Sequence, residues 1–340
     1  MIRKYLVIFS IFISVIFVMR CYGQEDENAL VVLPRVIVVT ISGGVRNEDT
    51  IDDPRGQFIP HLKEEIFKKG CLYNNLVDLN WQSHMPPISA IFTGRTYSWA
   101  HTLKRPSIFQ YIRKKYGLSS EKLWSLGHYY TDLVYLKKDG FLEDTFPSCF
   151  NMKIKTTPDT WSLFNSDRIK ELKELVEAYS AATDDGFIYW PQWDVVVGAQ
   201  RLLVEEIMEE FKPLFLHLTI SDVESAHYGT RGRYFLSMKR TDAFIKYIWD
   251  FIQKDPFYSG KTYLIISSDH TRNKYYMHHN EGLFEDSSPV WLYIYGPKIK
   301  SGIEIDREVH HVDIFATLAW LYKLKVHENH GKILRDSFLE

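Results

Sequence analysis

Apolar and polar residues along the chain form blocks that predict strands and helices in alternation. Residues 36–40 are a β-branched run that ends at two glycines, as a buried strand that leads into a tight turn does. Residues 58–69 have apolar side chains at helical spacing and stop at Gly70. Further strands are predicted at 122–126, 215–220, 262–267 and 290–295. Further helices are predicted at 194–211, 234–252 and 312–322.

Alternation of strands and helices over the whole chain predicts an α/β fold, a three-layer sandwich around a mostly parallel central sheet. The composition of the 340 residues, 45% hydrophobic and 25% charged, is that of an ordinary globular protein. The region around 137–193 is richer in aromatic and polar residues, which predicts a loop-rich insertion over the sheet edge. We therefore expect one domain, residues 24–340, that carries this insertion.

The first 23 residues have the pattern of a secretory signal peptide. Basic residues at 3–4 precede an apolar run at 5–19, and Gly23 provides a small residue for cleavage. The run is shorter than the roughly 20 apolar residues of a spanning helix, so no transmembrane segment is expected after cleavage. The protein is then secreted or periplasmic. Lipoprotein anchoring through Cys21 is the weaker alternative, because the two residues before it are not small.

Cleavage at this site would leave Cys71 and Cys149, which either pair in an oxidising compartment or are two separate buried thiols. The formal net charge of -2 provides no bulk electrostatic signature of nucleic-acid binding. A partner must therefore be sought at a particular site, and a small molecule is the expected class.

Chemically active side chains follow the predicted strands, where ligands gather in an open α/β sheet. The residues after strands 215–220 and 262–267, and those before strand 290–295, include Asp222, Glu224, His227, Asp269, His270, His278 and His279. Carboxylate oxygens together with imidazole nitrogens suit zinc, whereas oxygen-only sets suit magnesium or calcium. The sequence therefore predicts one or two divalent ions, Zn²⁺ first, with Mn²⁺ or Ca²⁺ as alternatives.

The order of these motifs resembles the alkaline phosphatase superfamily, in particular its nucleotide pyrophosphatase/phosphodiesterase and sulfatase-like branches. The similarity rests on GGVR after the first strand, then PPISAIFTGR, SSDH and HHVDIFATLAWLY, and it covers nearly all of the chain after the signal. It implies two metal ions at the carboxyl edge of the sheet and a Ser, Thr or formylglycine nucleophile. One ion would be held by Asp222, His227 and either His278 or His279. The other would be held by Asp269 and His270.

Two positions depart from the family pattern. Ser42 or Gly43 stands where the family has a metal-binding aspartate, and the nucleophile position falls on His84, with Ser83 as the nearest hydroxyl. The spacing from Asp222 to His227 is also one residue longer than usual, which makes Glu224 an alternative ligand.

These departures leave two interpretations open. In a remodelled site, Ser83 or His84 supplies the nucleophile or a ligand, and Ser42, Glu48 or Asp49 completes the metal site. In a retired site, the pocket binds a ligand without turnover. A sulfatase is disfavoured, because residues 84–88 lack both ends of the C/S-x-P-x-R pattern.

Several other side chains have both a functional and a structural interpretation. Arg46 and Arg95 are candidates to bind the anionic ester, or are structural hydrogen-bond donors. His310 and His311 are expected to cap or pack near the last helix, with a metal role as the less favoured alternative, and His330 is a reserve metal candidate.

The resulting hypothesis is an exported, metal-dependent hydrolase of phosphate mono- or diesters, with a small-molecule, glycan or nucleotide phosphoester as substrate. One alternative is a catalytically impaired protein on the same scaffold that binds a ligand or a single metal ion. The other is a transferase of phosphorylated head groups.

Overall fold

An eight-stranded sheet forms the centre of the fold in a computed structural model of the chain. The structure describes residues 33–79, 84–96, 106–127, 148–151, 163–181, 190–228, 230–273 and 289–340. The predicted signal peptide, Ser83, His278 and His279 lie outside these residues, and so does the side chain of His227. Within the described part, no helix is both long and apolar enough to cross a membrane.

Seven of the eight strands run in the same direction. The strands are β1 (Arg35–Ile41), β2 (Cys71–Leu76), β3 (Leu123–Gly127), β4 (Ser148–Asn151), β5 (Phe215–Ile220), β6 (Thr262–Ser268), β7 (Val290–Tyr295) and β8 (Ile303–Ile305). Their order in the sheet is β4-β3-β5-β1-β6-β7-β2-β8, and β7 is antiparallel to both of its neighbours. The predicted mostly parallel sheet is confirmed.

Helices cover both faces of the sheet. The α-helices of the described residues are α1 (Met85–Thr93), α2 (Ile108–Tyr116), α3 (Asp167–Ala181), α4 (Trp190–Glu206), α5 (Arg231–Lys254) and α6 (His311–Leu321). Residues 58–69, predicted as one helix, contain a π-helical turn at Leu62–Ile66 and a 3-10 turn at Phe67–Lys69. A second π-helical turn, Ile207–Phe211, continues α4.

Alternate residues of the central strands point to opposite layers. Ile37, Val39 and Ile41 of β1 belong to the same buried cluster as the apolar faces of α4 and α5. On the opposite face, Phe215 of β5 packs edge-on against Phe109 of α2, with ring centroids 4.9 Å apart. The predicted three-layer sandwich is therefore confirmed.

The strands with the strongest apolar runs agree with the prediction to within one residue at each end, whereas others were missed. β2 has the sequence CLYNNL, in which two asparagines weaken the strand signal, and β8 has only three residues. Within the region 137–193 the structure describes β4, which pairs parallel with β3 at the sheet edge, and α3.

Cys71 and Cys149 lie on β2 and β4, which are six positions apart in the sheet order. At about 4.8 Å per strand the separation is roughly 25–30 Å, far beyond the reach of a disulfide. Cys71 is a buried free thiol, and burial raises its pKa to about 12. Of the two alternatives from the sequence, a disulfide or two separate thiols, this separation fits two separate thiols.

His217 of β5 is buried in a polar patch between the sheet and α1. Its ring nitrogens lie 3.1 Å from Thr40 Oγ1 and 3.3 Å from Ser125 Oγ, and its ring packs edge-on against Phe92. No charged group is among these partners, so burial alone lowers the pKa of His217 to about 3.

We expect the free energy of unfolding to fall as the pH decreases below about 6.5, partly because His217 takes up a proton only when the chain unfolds. At about 1.4 kcal/mol per pH unit, this residue contributes a loss of about 2 kcal/mol between pH 6.5 and pH 5. Urea denaturation across this range should show a flatter pH dependence for His217→Asn than for the wild type. Equal pH dependence of the free energy of unfolding in the two proteins would contradict the contribution assigned to His217.

Candidate metal centre

Three possible metal ligands meet at the carboxyl ends of β1 and β6. His84, Asp269 and His270 each offer a donor atom, all three side chains are buried, and these atoms lie within 4.8 Å of one another. His84 Nδ1 is 2.5 Å from Asp269 Oδ2 and 3.2 Å from His270 Nε2. The tertiary structure thus joins the residue before α1 to two residues 185 and 186 positions later.

Backbone N–H groups orient the carboxylate of Asp269. The N–H groups of Gly43 and Gly44 lie 3.3 Å from it, and the N–H of His270 donates to Oδ1 at 2.9 Å. Both glycines have positive φ, of 113° and 77°, which turns successive N–H groups toward the same anion. The GG pair after β1 therefore holds Asp269 in place.

His270 has the arrangement of a neutral metal-binding imidazole. Its Nδ1 lies 2.5 Å from the Thr271 carbonyl, so Nδ1 carries the proton and Nε2 presents a lone pair toward His84. Burial lowers the pKa of His270 to about 4, against the opposing effect of Asp269. The ring is therefore uncharged at neutral pH.

Ser42 and Glu224 extend the cluster on one side. Ser42 Oγ donates to Glu224 Oε2 at 2.9 Å and lies 3.4 Å from His84 Nδ1. Glu224 Oε1 is 3.8 Å from His84 Nε2. Burial disfavours the charged form of His84, but Glu224 and Asp269 outweigh it and raise the pKa of this imidazole. The carboxylates of Glu224 and Asp269 flank the His84 imidazole, and carboxylate and imidazole groups together suit a divalent cation.

Arg272 joins the loops around the cluster. Its buried guanidinium donates to the carbonyls of Gly43 at 3.1 Å, Val223 at 3.0 Å and Ala226 at 3.1 Å, and lies over the ring of Tyr234. Burial lowers its pKa to about 10, so the side chain stays charged at neutral pH. The loops after β1, β5 and β6 are therefore held together by this single side chain.

We expect Gly43→Ala to lower the free energy of unfolding by at least about 2 kcal/mol, because it combines backbone strain at positive φ with a steric overlap. A Cβ at this position would overlap the backbone of Val223 and Glu224. Gly117→Ala is the matched control, since Gly117 also has positive φ but no atom lies within 4 Å of its added Cβ. Urea denaturation should show the larger loss of stability for Gly43→Ala. Equal losses in the two variants would argue against the close approach of Gly43 to the backbone of Val223 and Glu224.

Asp222 is not brought into this cluster. Its buried carboxylate forms a two-pronged ion pair with Arg240 of α5, at 2.6 and 2.5 Å. The arginine binds both carboxylate oxygens. The role that the resemblance implies for Asp222 as a metal ligand therefore stays a prediction, to which this geometry lends no support.

The two predicted anion-binding arginines are engaged by other side chains. Arg46 is 3.4 Å from Glu48 and from Asp49, its neighbours in the turn after β1. Arg95 follows the opposite end of α1, roughly 15 Å from His84 at helical rise, where it contacts Glu328 and His330.

Three further histidines considered from the sequence, His310, His311 and His330, have hydrogen-bond partners outside the cluster. His311 begins α6, and its Nε2 lies 2.8 Å from the carbonyl of Ser268, the residue before Asp269. His310 precedes it as the capping residue, and His330 lies near Arg95 and Thr96 rather than near His84.

Sequence reasoning missed Arg272 and Arg240. Arg272 stands in SSDHTRN, two residues after the predicted ligand His270, so its position at a strand end was the available signal. Arg240 lies within α5, and nothing in the helical pattern distinguishes it from a solvent-exposed arginine.

The fold is that of the alkaline phosphatase superfamily. A protein of this superfamily from Vibrio parahaemolyticus superposes with a TM-score of 0.54 at 14% identity, covering 86% of this chain and 67% of that one. The sulfatase PsFucS1 from Pseudoalteromonas sp. has a TM-score of 0.60 at 12% identity, with 95% and 76% covered. Murine ectonucleotide pyrophosphatase/phosphodiesterase 5, in an inactive form with AMP, has a TM-score of 0.56 at 11% identity, with 90% and 100% covered.

The sequence itself matches no family model and no curated protein. At 11–14% identity, the structural similarity establishes the fold, and the chemistry must be argued from the site.

Proposed function

We propose that this protein is a metal-dependent hydrolase of phosphate mono- or diesters. The observation that carries the proposal is the buried group of His84, Asp269 and His270 at the carboxyl edge of the sheet. Two imidazole nitrogens and one carboxylate oxygen are a donor set that suits zinc, and three protein ligands leave a coordination position for water or substrate. When bound, the ion would supply polarisation of a phosphoryl oxygen.

The protein's own side chains support this function in distinct ways. Both ring nitrogens of His84 face carboxylates, so a bound cation would have to displace a proton from this imidazole for His84 to serve as the third ligand. His270 presents an uncharged Nε2, and the backbone around Gly43 and Gly44 orients Asp269. Ser83, the other nucleophile candidate from the sequence, stays a prediction.

The substrate class is proposed from the site and the similar structures together. Solved chains with this fold include phosphonate monoester hydrolases from Agrobacterium radiobacter and Silicibacter pomeroyi, with TM-scores of 0.56 and 0.58. A small-molecule, glycan or nucleotide phosphoester is consistent with a cluster of carboxylate and imidazole groups that would hold a cation, which would in turn attract the anionic substrate. Action outside the cytoplasm follows from the predicted signal peptide at residues 1–23.

The test combines metal analysis with turnover. Purified protein, loaded with Zn²⁺ or Mn²⁺ and desalted, should retain metal by elemental analysis. It should hydrolyse p-nitrophenyl phosphate or bis-p-nitrophenyl phosphate and lose this activity on chelation. p-Nitrophenyl sulfate serves as the contrasting substrate. Retained metal with no hydrolysis of either phosphate ester would contradict the proposal.

A binding protein without turnover is the second candidate, favoured by the ion pair that occupies Asp222 and by His84 at the nucleophile position. It predicts metal-dependent binding of AMP or inorganic phosphate by calorimetry, with no product formed over many hours. The third candidate, a head-group transferase, predicts that an added acceptor alcohol is phosphorylated in preference to water. A lipoteichoic acid synthase from Listeria monocytogenes has the same fold, with a TM-score of 0.56.

A further inference from the structure

We infer that Ser42 is the nucleophile and Glu224 its general base, an inference that rests on the proposed hydrolase function. The nucleophile would then come from the loop after β1, and not from the segment of Ser83 and His84. Three observations support this assignment: a hydrogen bond, the position of the serine beside the metal-binding cluster, and the way in which the two loops are fixed against each other.

Ser42 has the base that a serine nucleophile needs. A free hydroxyl is a weak nucleophile, and an adjacent base activates it by accepting its proton. Ser42 Oγ donates to Glu224 Oε2 at 2.9 Å, within the distance for direct proton transfer. Both side chains are buried, with exposed fractions of 0% and 8%, so water competes little for this hydrogen bond.

The serine also lies beside the proposed metal ligands. Ser42 Oγ is 3.4 Å from Nδ1 of His84, one of the three proposed ligands. His84 has an exposed fraction of 7% and Glu224 of 8%, against 0% for Ser42 and Asp269 and 1% for His270. In the proposed mechanism, a phosphoryl group held by a metal ion at this cluster would lie beside the serine oxygen.

The backbone fixes the pair. The N–H of Ser42 donates to the carbonyl of Ile220 at 2.9 Å, which joins the end of β1 to the end of β5. Gly43 packs directly on the backbone of Val223 and Glu224, and Arg272 donates to carbonyls of both loops. The distance from Ser42 Oγ to Glu224 is thus held by rigid contacts on both sides.

The chemical step balances as follows. Ser42 Oγ forms a bond to phosphorus as the P–O bond to the leaving alcohol breaks, and the serine proton passes to Glu224 and then to the departing alkoxide. In the second step, water attacks the phosphoserine, Glu224 accepts a proton from the water, and this proton returns to Ser42 Oγ as phosphate leaves.

Covalent labelling tests the assignment separately from hydrolysis. An alkyl fluorophosphonate reacts with an activated serine by displacement of fluoride, whether or not a phosphate ester is turned over. We expect labelling of the metal-loaded wild type at Ser42, located by peptide mass spectrometry. Labelling should be lost in Ser42→Ala and slowed by on the order of 10²–10⁴-fold in Glu224→Gln. Ser267→Ala is the matched control, a buried serine of β6 without a hydrogen-bond partner, and should label like the wild type.

Acid quenching during turnover of p-nitrophenyl phosphate provides the second readout. The phosphoryl group should be found on Ser42, and Ser42→Ala should reduce kcat by about 10³-fold or more, while the control Ser267→Ala leaves it unchanged. Label or phosphate on Ser83 or His84, or full turnover by Ser42→Ala, would overturn the inference and leave the hydrolase function standing. Labelling at Ser42 without any ester turnover would instead refute the hydrolase function. The absence of both labelling and turnover would refute the Ser42 inference and the hydrolase function together.

Discussion

An Asp269→Ala variant is expected to lose metal binding by more than about 100-fold, together with any metal-dependent activity. Asp269 is the only carboxylate among the three clustered ligands of the described residues, and its oxygen lies 2.5 Å from His84 Nδ1. It also accepts hydrogen bonds from the N–H groups of Gly43, Gly44 and His270. Calorimetric titration with Zn²⁺ measures the loss directly, without relying on a substrate.

The same substitution should destabilise the protein by about 3–5 kcal/mol, because it removes one partner of a buried ion pair and leaves His84 beside fewer negative charges. Asp269→Asn has the same shape, so it should lose metal affinity but keep more of the stability. Asp250→Ala is the control, since the side chain of Asp250 is 40% exposed and pairs with Lys246 of its own helix. Its free energy of unfolding should change by no more than about 0.5 kcal/mol. Zinc affinity that survives in Asp269→Ala would show that the ion binds elsewhere.

An Arg272→Ala variant is expected to lose about 3–5 kcal/mol of stability. The guanidinium donates to the buried carbonyls of Gly43, Val223 and Ala226, and each carbonyl left without a donor costs about 1–3 kcal/mol. The loss should appear as a lower urea midpoint. Because Arg272 connects the loops that carry Ser42, Glu224 and Asp269, zinc affinity should fall as well.

Two further variants separate the hydrogen bonds of Arg272 from its charge. Arg272→Lys retains the positive charge but cannot span three carbonyls, so it should lie between the wild type and Arg272→Ala in stability. Arg231→Ala, an exposed arginine over the ring of Phe235, should cost less than about 1 kcal/mol. Equal stability of Arg272→Lys and the wild type would show that the positive charge alone accounts for the stabilising effect of Arg272.

The local pattern of apolar residues was sufficient to predict the strands in which every residue is buried. β1, β5 and β6 are buried on both faces, so their continuous apolar runs stand out from the chain. β2 and β8 lie toward the sheet edge, where polar residues are tolerated and the strand signal weakens. The local pattern also failed to predict α1, which begins at Met85 after His84 and contains two prolines in its first turn.

The candidate site was predictable only in part. Asp269 and His270 follow a clear strand, and the rule that ligands gather at the carboxyl ends of parallel strands pointed to them correctly. Asp222 satisfied the same rule, yet it pairs with Arg240, a contact across 18 residues that depends on how α5 packs. Ser42 was considered as a ligand, and its hydrogen bond to Glu224 spans 182 residues.

The sequence by itself determined the alternating α/β architecture and the strand ends from which a metal centre would be built, because both depend on patterns within short segments. Only the tertiary structure decided which of those side chains face one another. His84, Glu224 and Asp269 converge because three loops pack around Gly43 and Arg272. Such contacts depend on geometry between distant segments, which residue order alone does not encode in a readable form.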